Sequence, residues 1–194
     1  ISENTKKDLI TEYNINESKI SVIKLAVNKN KVFRSKHIKL KPYILFVGNR
    51  GRYKNFINVI KAYSKSEKLK KDFDFVCFGG GNFSKNEENL FRELKLDRKK
   101  CHFFEGDEED LNFFYKKAKI FIFPSLYEGF GLPLLEAMNM ECPVLCSNTS
   151  CFPEIVNDAA ILFDPSDIES IKHSLEQNIY DDKLLIELKK KGNK

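Results

Sequence analysis

Two glutamates, Glu128 and Glu136, are separated by seven intervening residues in the run Phe123-Pro-Ser-Leu-Tyr-Glu-Gly-Phe-Gly-Leu-Pro-Leu-Leu-Glu-Ala-Met138. A carboxylate at the mouth of a cavity can accept hydrogen bonds from sugar hydroxyls, and a second can hold the hydroxyls of a ribose. Gly129 and Gly131 permit a tight backbone, and Pro133 suits the start of a helix, where a missing N–H costs nothing. Glu128 is therefore expected in a loop and Glu136 about one turn into a helix. Both could face one cavity, with the N–H groups near Gly131–Leu132 aimed at an anion. The plainer alternative makes Glu128 a solvated loop acid and Glu136 an ordinary helix-surface residue. Glu136, however, lies between Leu134-Leu135 and Ala137-Met138, on a helix expected to be buried, where an acid needs a partner.

Three other loops carry polar or permissive residues. Gly48-Asn-Arg-Gly-Arg-Tyr-Lys-Asn55 sets Arg50, Arg52 and Lys54 just ahead of a helix, where side-chain charge, helix dipole and free amides can add together on an anion. A solvated basic turn is the competing account. Gly79-Gly80-Gly81 would let a ligand approach the backbone closely, although the spacing is not that of a dinucleotide fingerprint, and a flexible turn explains it nearly as well. The stretch from Ser147 through Asn148, Thr149 and Ser150 to Pro153-Glu154 offers hydroxyls and a helix start, which a capping turn also explains.

Metal and redox chemistry find little support. The five cysteines (77, 101, 142, 146 and 151) form no C-x-x-C pair, and the three histidines (His37, His102, His173) show no ligand spacing. Thiols that close apolar stretches behave as small buried hydrophobes, so a reducing cytosol is expected and no metal or cofactor. With 42% hydrophobic and 31% charged residues, the chain can bury a sizeable core and is not of disordered composition. No apolar run approaches the roughly 18–20 residues of a membrane span. The net charge of +5 fits an anionic ligand or a membrane-surface neighbour. Lysine clusters at 65–71, 95–100 and 189–194 read as solvated helix faces, since aromatics are not interleaved for base stacking, and no nucleic-acid partner is expected. Three N-x-S/T matches, at Asn16, Asn82 and Asn148, are background in an Asn-rich chain.

The elements that must position these loops alternate. Strands are expected at Lys19–Leu25, Tyr43–Gly48, Phe73–Phe78, Cys101–Phe104, Ile120–Pro124, Pro143–Ser147 and Ala160–Phe163, as runs of strand length with few internal charges. Amphipathic helices fall between them, with Phe56, Ile60 and Tyr63 on one face, then Leu90, Phe91 and Leu94, then Leu111, Phe114 and Tyr115. Helical pattern returns at Pro133–Met138, Asp167–Asn178 and Asp181–Lys191. This β-α alternation predicts an α/β fold, a Rossmann-like parallel sheet flanked by helices, with ligands beyond the carboxyl ends of the strands. Residues 1–42 read as a polar opening helix (Ser2–Tyr13), one strand and a lysine-rich linker, and the main domain as 43–194. Beginning at Ile1 without a methionine, the chain reads as a piece of something longer.

The same loops resemble retaining glycosyltransferases of family 4 (group 1). Glu128 and Glu136 match the E-x7-E pattern of that family, and the wording from Pro124 to Met138 is similar to it. So are Val47-Gly48 with Arg50 and Lys54-Asn55, Pro143-Val144, Pro153-Glu154 and Ala160-Ile-Leu-Phe-Asp-Pro165, in the family's order from about Tyr43 onward. The resemblance implies the C-terminal half of a GT-B fold, the domain that binds the nucleotide-sugar donor, with 1–42 as the end of the acceptor domain and the interdomain linker. It implies transfer of a hexose, mannose being the leading candidate, from a GDP- or UDP-sugar to a glycan or lipid-linked acceptor held by an N-terminal domain. The sugar nucleotide would be a substrate, and no metal is implied.

By that resemblance Arg50 and Lys54 would neutralise the diphosphate and Glu128 would contact the donor sugar, these three forming the catalytic group. Gly48, Gly80, Gly129, Phe130, Gly131 and Leu132 would approach sugar and phosphate, Glu136 would hold the ribose, and backbone around Phe104 would meet the base. A bacterial, cytoplasmic setting is implied, with a peripheral contact at the inner face of the membrane left open. A GT-B-fold nucleotide-sugar epimerase and a non-catalytic nucleotide-binding or anionic-surface module are the alternatives. In one place the chain departs from the family: a small-residue turn with glycine is replaced by Asn139-Met-Glu141-Cys-Pro143, so Glu141 is expected either to be strained at φ > 0 or to change the turn.

Overall fold

A computed structural model describes residues 1–28, 32–33, 38 and 40–193, and of Arg52 the backbone alone. His37, Lys194 and part of the expected lysine-rich linker lie outside the described residues. Six strands, β1 (Tyr43–Val47), β2 (Asp74–Phe78), β3 (Cys101–Phe104), β4 (Ile120–Phe123), β5 (Val144–Ser147) and β6 (Ala160–Phe163), form one sheet in the order β3-β2-β1-β4-β5-β6. Every pairing is parallel, with Leu45 opposite both Val76 and Phe121. All residues of β1, β2, β4 and β5 are buried, as strands covered on both faces must be, while the edge strands β3 and β6 are partly open.

Side chains alternate across the sheet and divide the core in two. Leu45, Val76, Phe121, Phe123 and Cys146 pack with Phe114, Tyr115, Leu134 and Phe152 from α5 (Glu108–Lys117), α6 (Leu132–Asn139) and α7 (Phe152–Val156). On the other face Ile44, Phe46, Phe75, Ile122 and Leu145 meet Phe56, Ile60, Phe91, Leu175 and Leu185. These come from α2 (Phe56–Ser64), α4 (Lys85–Glu93), α8 (Ile168–Asn178) and α9 (Asp182–Gly192).

Helix starts follow local chemistry. Asp107, Asp167 and Asp181 each cap a helix through the side chain, and Ser84 with Glu87 forms a reciprocal capping box. Two short helices were not anticipated as such: α3 (Glu67–Asp72), capped by Ser66, and α7, reached only as a helix start at Pro153.

The strand expected at Lys19–Leu25 is absent. A 3₁₀ turn covers Glu17–Lys19, and the chain then runs without regular structure through Asn28, with Ile23 and Leu25 exposed. Apolar alternation gives a segment a face but no hydrogen-bonding partner, and none of the described strands pairs with it. Glu141 does take the left-handed conformation, φ +56°, at the turn between α6 and β5, and its carboxylate is paired with Lys116 at 2.7 Å.

The chain runs outward from β1 to β2 and β3, then returns to lay β4 against the other side of β1. The loops leaving β1 and β4 therefore diverge, and the crevice between them is where a sheet of this order takes ligands.

Candidate functional site

The two diverging loops bring Lys54 and Glu128 together. Lys54 ends a 3₁₀ turn after β1, and its Nζ donates to Glu128 Oε1 at 2.7 Å. Ser125, fully buried and two residues past β4, donates its hydroxyl to the same oxygen at 2.9 Å. The ammonium also lies 5.1 Å from the Phe123 ring and 5.3 Å from that of Tyr53, so its surroundings are aromatic as well as anionic. Both charged side chains are mostly buried, 13% and 19% exposed, which strengthens their attraction relative to a surface pair.

The backbone of the second loop is held from behind. Ser150 Oγ donates to the Glu128 carbonyl at 2.8 Å and accepts from the Glu128 amide at 3.2 Å. Cys151 Sγ donates towards the carbonyls of Glu128 and Phe130. Gly131, at φ +101°, is the N-cap of α6 and has no side chain to cap it. Pro133 carries no N–H and the Leu134 amide donates to the Gly131 carbonyl at 2.9 Å, so the Leu132 amide is the one at this helix start that could meet an anion. A Cβ on Gly131 would also press on Leu134 at 3.1 Å. Leu132 opens α6 one residue earlier than expected, which puts Pro133 second in the helix, and Phe130 is buried.

Glu136 sits on the second turn of α6, half-buried, with Oε2 accepting from the Tyr115 hydroxyl at 3.2 Å. Burial pushes its carboxyl above the usual range and Glu108 adds to this, while the bond from Tyr115 works against both. The buried acid does have the partner its setting required, and that partner is a tyrosine of α5.

Arg50 is placed differently from Lys54. Its Nε donates to Glu87 at 2.5 Å, Nη1 to the Gly79 carbonyl, and Nη2 to those of Gly81 and Asn82. Three of the five guanidinium donors thus point into the glycine loop after β2 and a fourth to Glu87 on α4, and the group lies against the rings of Phe56, Phe83 and Phe103. Burial pushes the Glu87 carboxyl up, but the bonds from Arg50 and Ser84 outweigh it and hold it below its ordinary range.

The glycine loop in turn needs its composition. Gly79, Gly80 and Gly81 all have φ near +80°, and a Cβ on Gly80 would lie 2.7 Å from the Gly48 carbonyl. Gly80 therefore locks two loops together, while Gly48 and Gly81 have open space where a side chain would be. The Phe104 carbonyl accepts from the Gly79 amide, and its ring leans on Phe114 at 4.7 Å. Hollows of 360 and 400 Å³ flank Arg50, the first also lined by Gly80, Asn82 and Glu87.

Helix α1 (Glu3–Tyr13) closes over the same region. Glu154 accepts from the amides of Glu3 and Asn4, Thr5 donates to the Gly129 carbonyl, and Tyr127 donates to Asp8 at 2.5 Å. All five cysteines are free and buried. Burial pushes the thiols of Cys101, Cys142 and Cys146 up to about 12 and raises those of Cys77 and Cys151. Among the described residues no three His, Cys, Asp or Glu side chains converge at metal-ligand range.

The sequence missed Ser125, Cys151 and Tyr115 as parts of this arrangement, and reached Ser150 and Glu154 only as members of a polar loop. Tyr115 gave the one usable signal: a tyrosine on a helix face otherwise built from Leu111 and Phe114 must find a partner for its hydroxyl.

A family model described as "Glycosyl transferases group 1" matches residues 27–194. The chain belongs to this family. Among group 1 relatives, it is 29% identical over 197 residues to the O-antigen chain mannosyltransferase B of Escherichia coli, covering 94% of this chain and 51% of that protein. It is 30% identical over 179 residues to the O-antigen chain mannosyltransferase RfbU of Salmonella typhimurium, covering 91% and 49%. The chain thus spans about half the length of these curated relatives. The crystal structure of the C-terminal domain of a group 1 glycosyl transferase, LpcC of Francisella tularensis, superposes with a TM-score of 0.72 at 24% identity, over 87% of this chain and 95% of that one. The fold is that of the C-terminal half of a group 1 enzyme.

Proposed function

We propose that this chain is the donor-binding domain of a retaining glycosyltransferase, moving a hexose from a nucleotide-diphosphate sugar to a glycan or lipid-linked acceptor. The observation that carries the reading is the Lys54–Glu128 pair, set at the switch point of the sheet beside the uncapped start of α6. Mannose is the sugar proposed, because the two curated relatives above are named as mannosyltransferases, and GDP is the nucleotide proposed with it. Residues 1–42 are assigned to the end of the acceptor half and the linker.

Breaking the sugar–phosphate bond leaves negative charge on the departing diphosphate and positive charge on the anomeric carbon. Lys54 and the Leu132 amide at the start of α6 stabilise the former, fixed in place before the reaction begins. Glu128 accepts from hydroxyls of the donor sugar, and Glu136 from the ribose. The acceptor hydroxyl attacks from the face the phosphate leaves and gives its proton to the departing phosphate oxygen, so no protein nucleophile is assigned. Arg50 serves by holding the glycine loop against Gly48 and Asn49. One N–H of Nη1 is left for a phosphate, the other four donors being held by Glu87 and the loop carbonyls.

A lipid-linked acceptor would bring the enzyme to the inner face of the cytoplasmic membrane. The lysines of 65–71 and 95–100 lie where β2 and β3 begin, on the pole away from the donor loops.

Turnover of Lys54→Ala in the full-length protein tests this role. A fall in kcat of about 10²-fold or more is expected, the size typical of losing one preorganised charge-stabilising group. Near-normal turnover would sink the assignment.

A further inference from the structure

Tyr115 is fully buried on α5, in contact edge-on with Phe121 at 5.3 Å, and its hydroxyl bonds to a single side chain, Glu136. We infer that Tyr115 is a positioning residue of the donor site, fixing the Glu136 carboxylate so that its other oxygen faces the ribose and lets the enzyme tell a ribonucleotide from a deoxyribonucleotide. The inference rests on the reading of Glu136 as the ribose-holding group and adds to it the residue that aims it.

The physical argument begins with the hydroxyl. A tyrosine buried in the core against Phe121 gains nothing from its oxygen over phenylalanine unless that oxygen is bonded, because an unpaired buried hydroxyl opposes folding. Here it donates to Oε2 of Glu136. A carboxylate on a helix has two oxygens and a freely turning terminal torsion, so without a fixed donor it presents either oxygen over a wide arc. With Oε2 held from the α5 side, Oε1 is left to accept from the ligand. Glu136 is thereby oriented by a side chain of the core, while α6 itself starts from Gly131.

The test compares nucleotide affinity with and without the ribose hydroxyls. GDP and UDP, each beside its 2′,3′-dideoxy counterpart, are titrated into the wild-type chain, Tyr115→Phe, Glu136→Gln and the double variant, with a thermal melt of each. The wild type is expected to favour the ribonucleotide by about tenfold or more, the range of a hydrogen bond to a charged group. Y115F should lose most of that preference while binding the dideoxy form as before, and should change nothing further in the E136Q background, since it acts through Glu136. A Y115F chain that keeps the full preference would overturn the inference, as would equal losses from Y115F in both backgrounds. A Y115F chain that does not fold would also overturn it, by placing the hydroxyl in the stability of the core. A wild type that binds neither nucleotide, or binds ribose and dideoxyribose forms alike, would overturn the ribose role of Glu136 itself, a separate and recognisable failure.

Discussion

Glu136 is a residue whose charge the fold works against. Its ordinary carboxyl value is 4.5, and burial with Glu108 nearby raises it, only partly offset by Tyr115. Holding two ribose hydroxyls requires the ionised form, so nucleotide affinity should be full above the raised value and fall as the pH drops through it. That acid limb should lie above the one an exposed glutamate would give, and Glu136→Gln should abolish it. The effect of this group on stability has the opposite sign. Between 4.5 and the raised value the folded chain binds more protons than the unfolded one, so acidification through this window favours folding by this group alone. Affinity measured by titration from pH 7 downward, with a melting curve at each step, separates the two. An affinity independent of pH down to the ordinary carboxyl range would contradict the assignment. The residue pattern announced Glu128, Glu136 and Lys54, because loop glycines and an acid inside an apolar helix are visible in one dimension. It could not name the partners of Ser125 and Tyr115, whose hydroxyls find them only when β4, α5 and α6 pack together.

The turn that joins α6 to β5 shows how an element tolerates a residue that does not suit it. Glu141 has φ +56°, a conformation costing a non-glycine residue about 1–2 kcal/mol. Its ion pair with Lys116 is more than a third exposed on both sides and returns at most about 1 kcal/mol. Glycine would remove the strain, lose the pair and stiffen less of the unfolded chain, the last costing about 0.5–1 kcal/mol. The three effects nearly cancel, so Glu141→Gly should change unfolding stability by less than about 1 kcal/mol in either direction. Chemical denaturation would check this, and a loss beyond about 2 kcal/mol would mean that the side chain carries the turn. The conflict was foreseeable from the resemblance, in which a small-residue turn with glycine stands where this chain has Asn139-Met-Glu141-Cys-Pro143. The failed strand at Lys19–Leu25 marks the limit of such reasoning: a strand is a relation between two segments, and one segment cannot reveal its partner. The docking of α1 was equally out of reach, because Glu154 caps a helix some 150 positions away.

Across the whole molecule, order of strands and place of the site are one fact. Because β4 returns beside β1, the loops after these two strands open a crevice, and the sequence happens to put its lysine on one and its glutamates on the other. The β-α alternation made this architecture legible, and the six observed strands fall within the expected runs from Tyr43 onward. Which cation faces the crevice was not legible, because Arg50 and Lys54 look alike in sequence and differ only in what lies beneath them. The central claim is that this domain binds a nucleotide diphosphate at that crevice through Lys54 and Glu136. Calorimetric titration of the chain with GDP, UDP and ADP, repeated on Lys54→Ala and Glu136→Ala, tests it most directly. The account predicts selective binding of one nucleotide, GDP first, weakened by at least about tenfold in both variants. Binding of none of the three, or binding that neither substitution weakens, would contradict it.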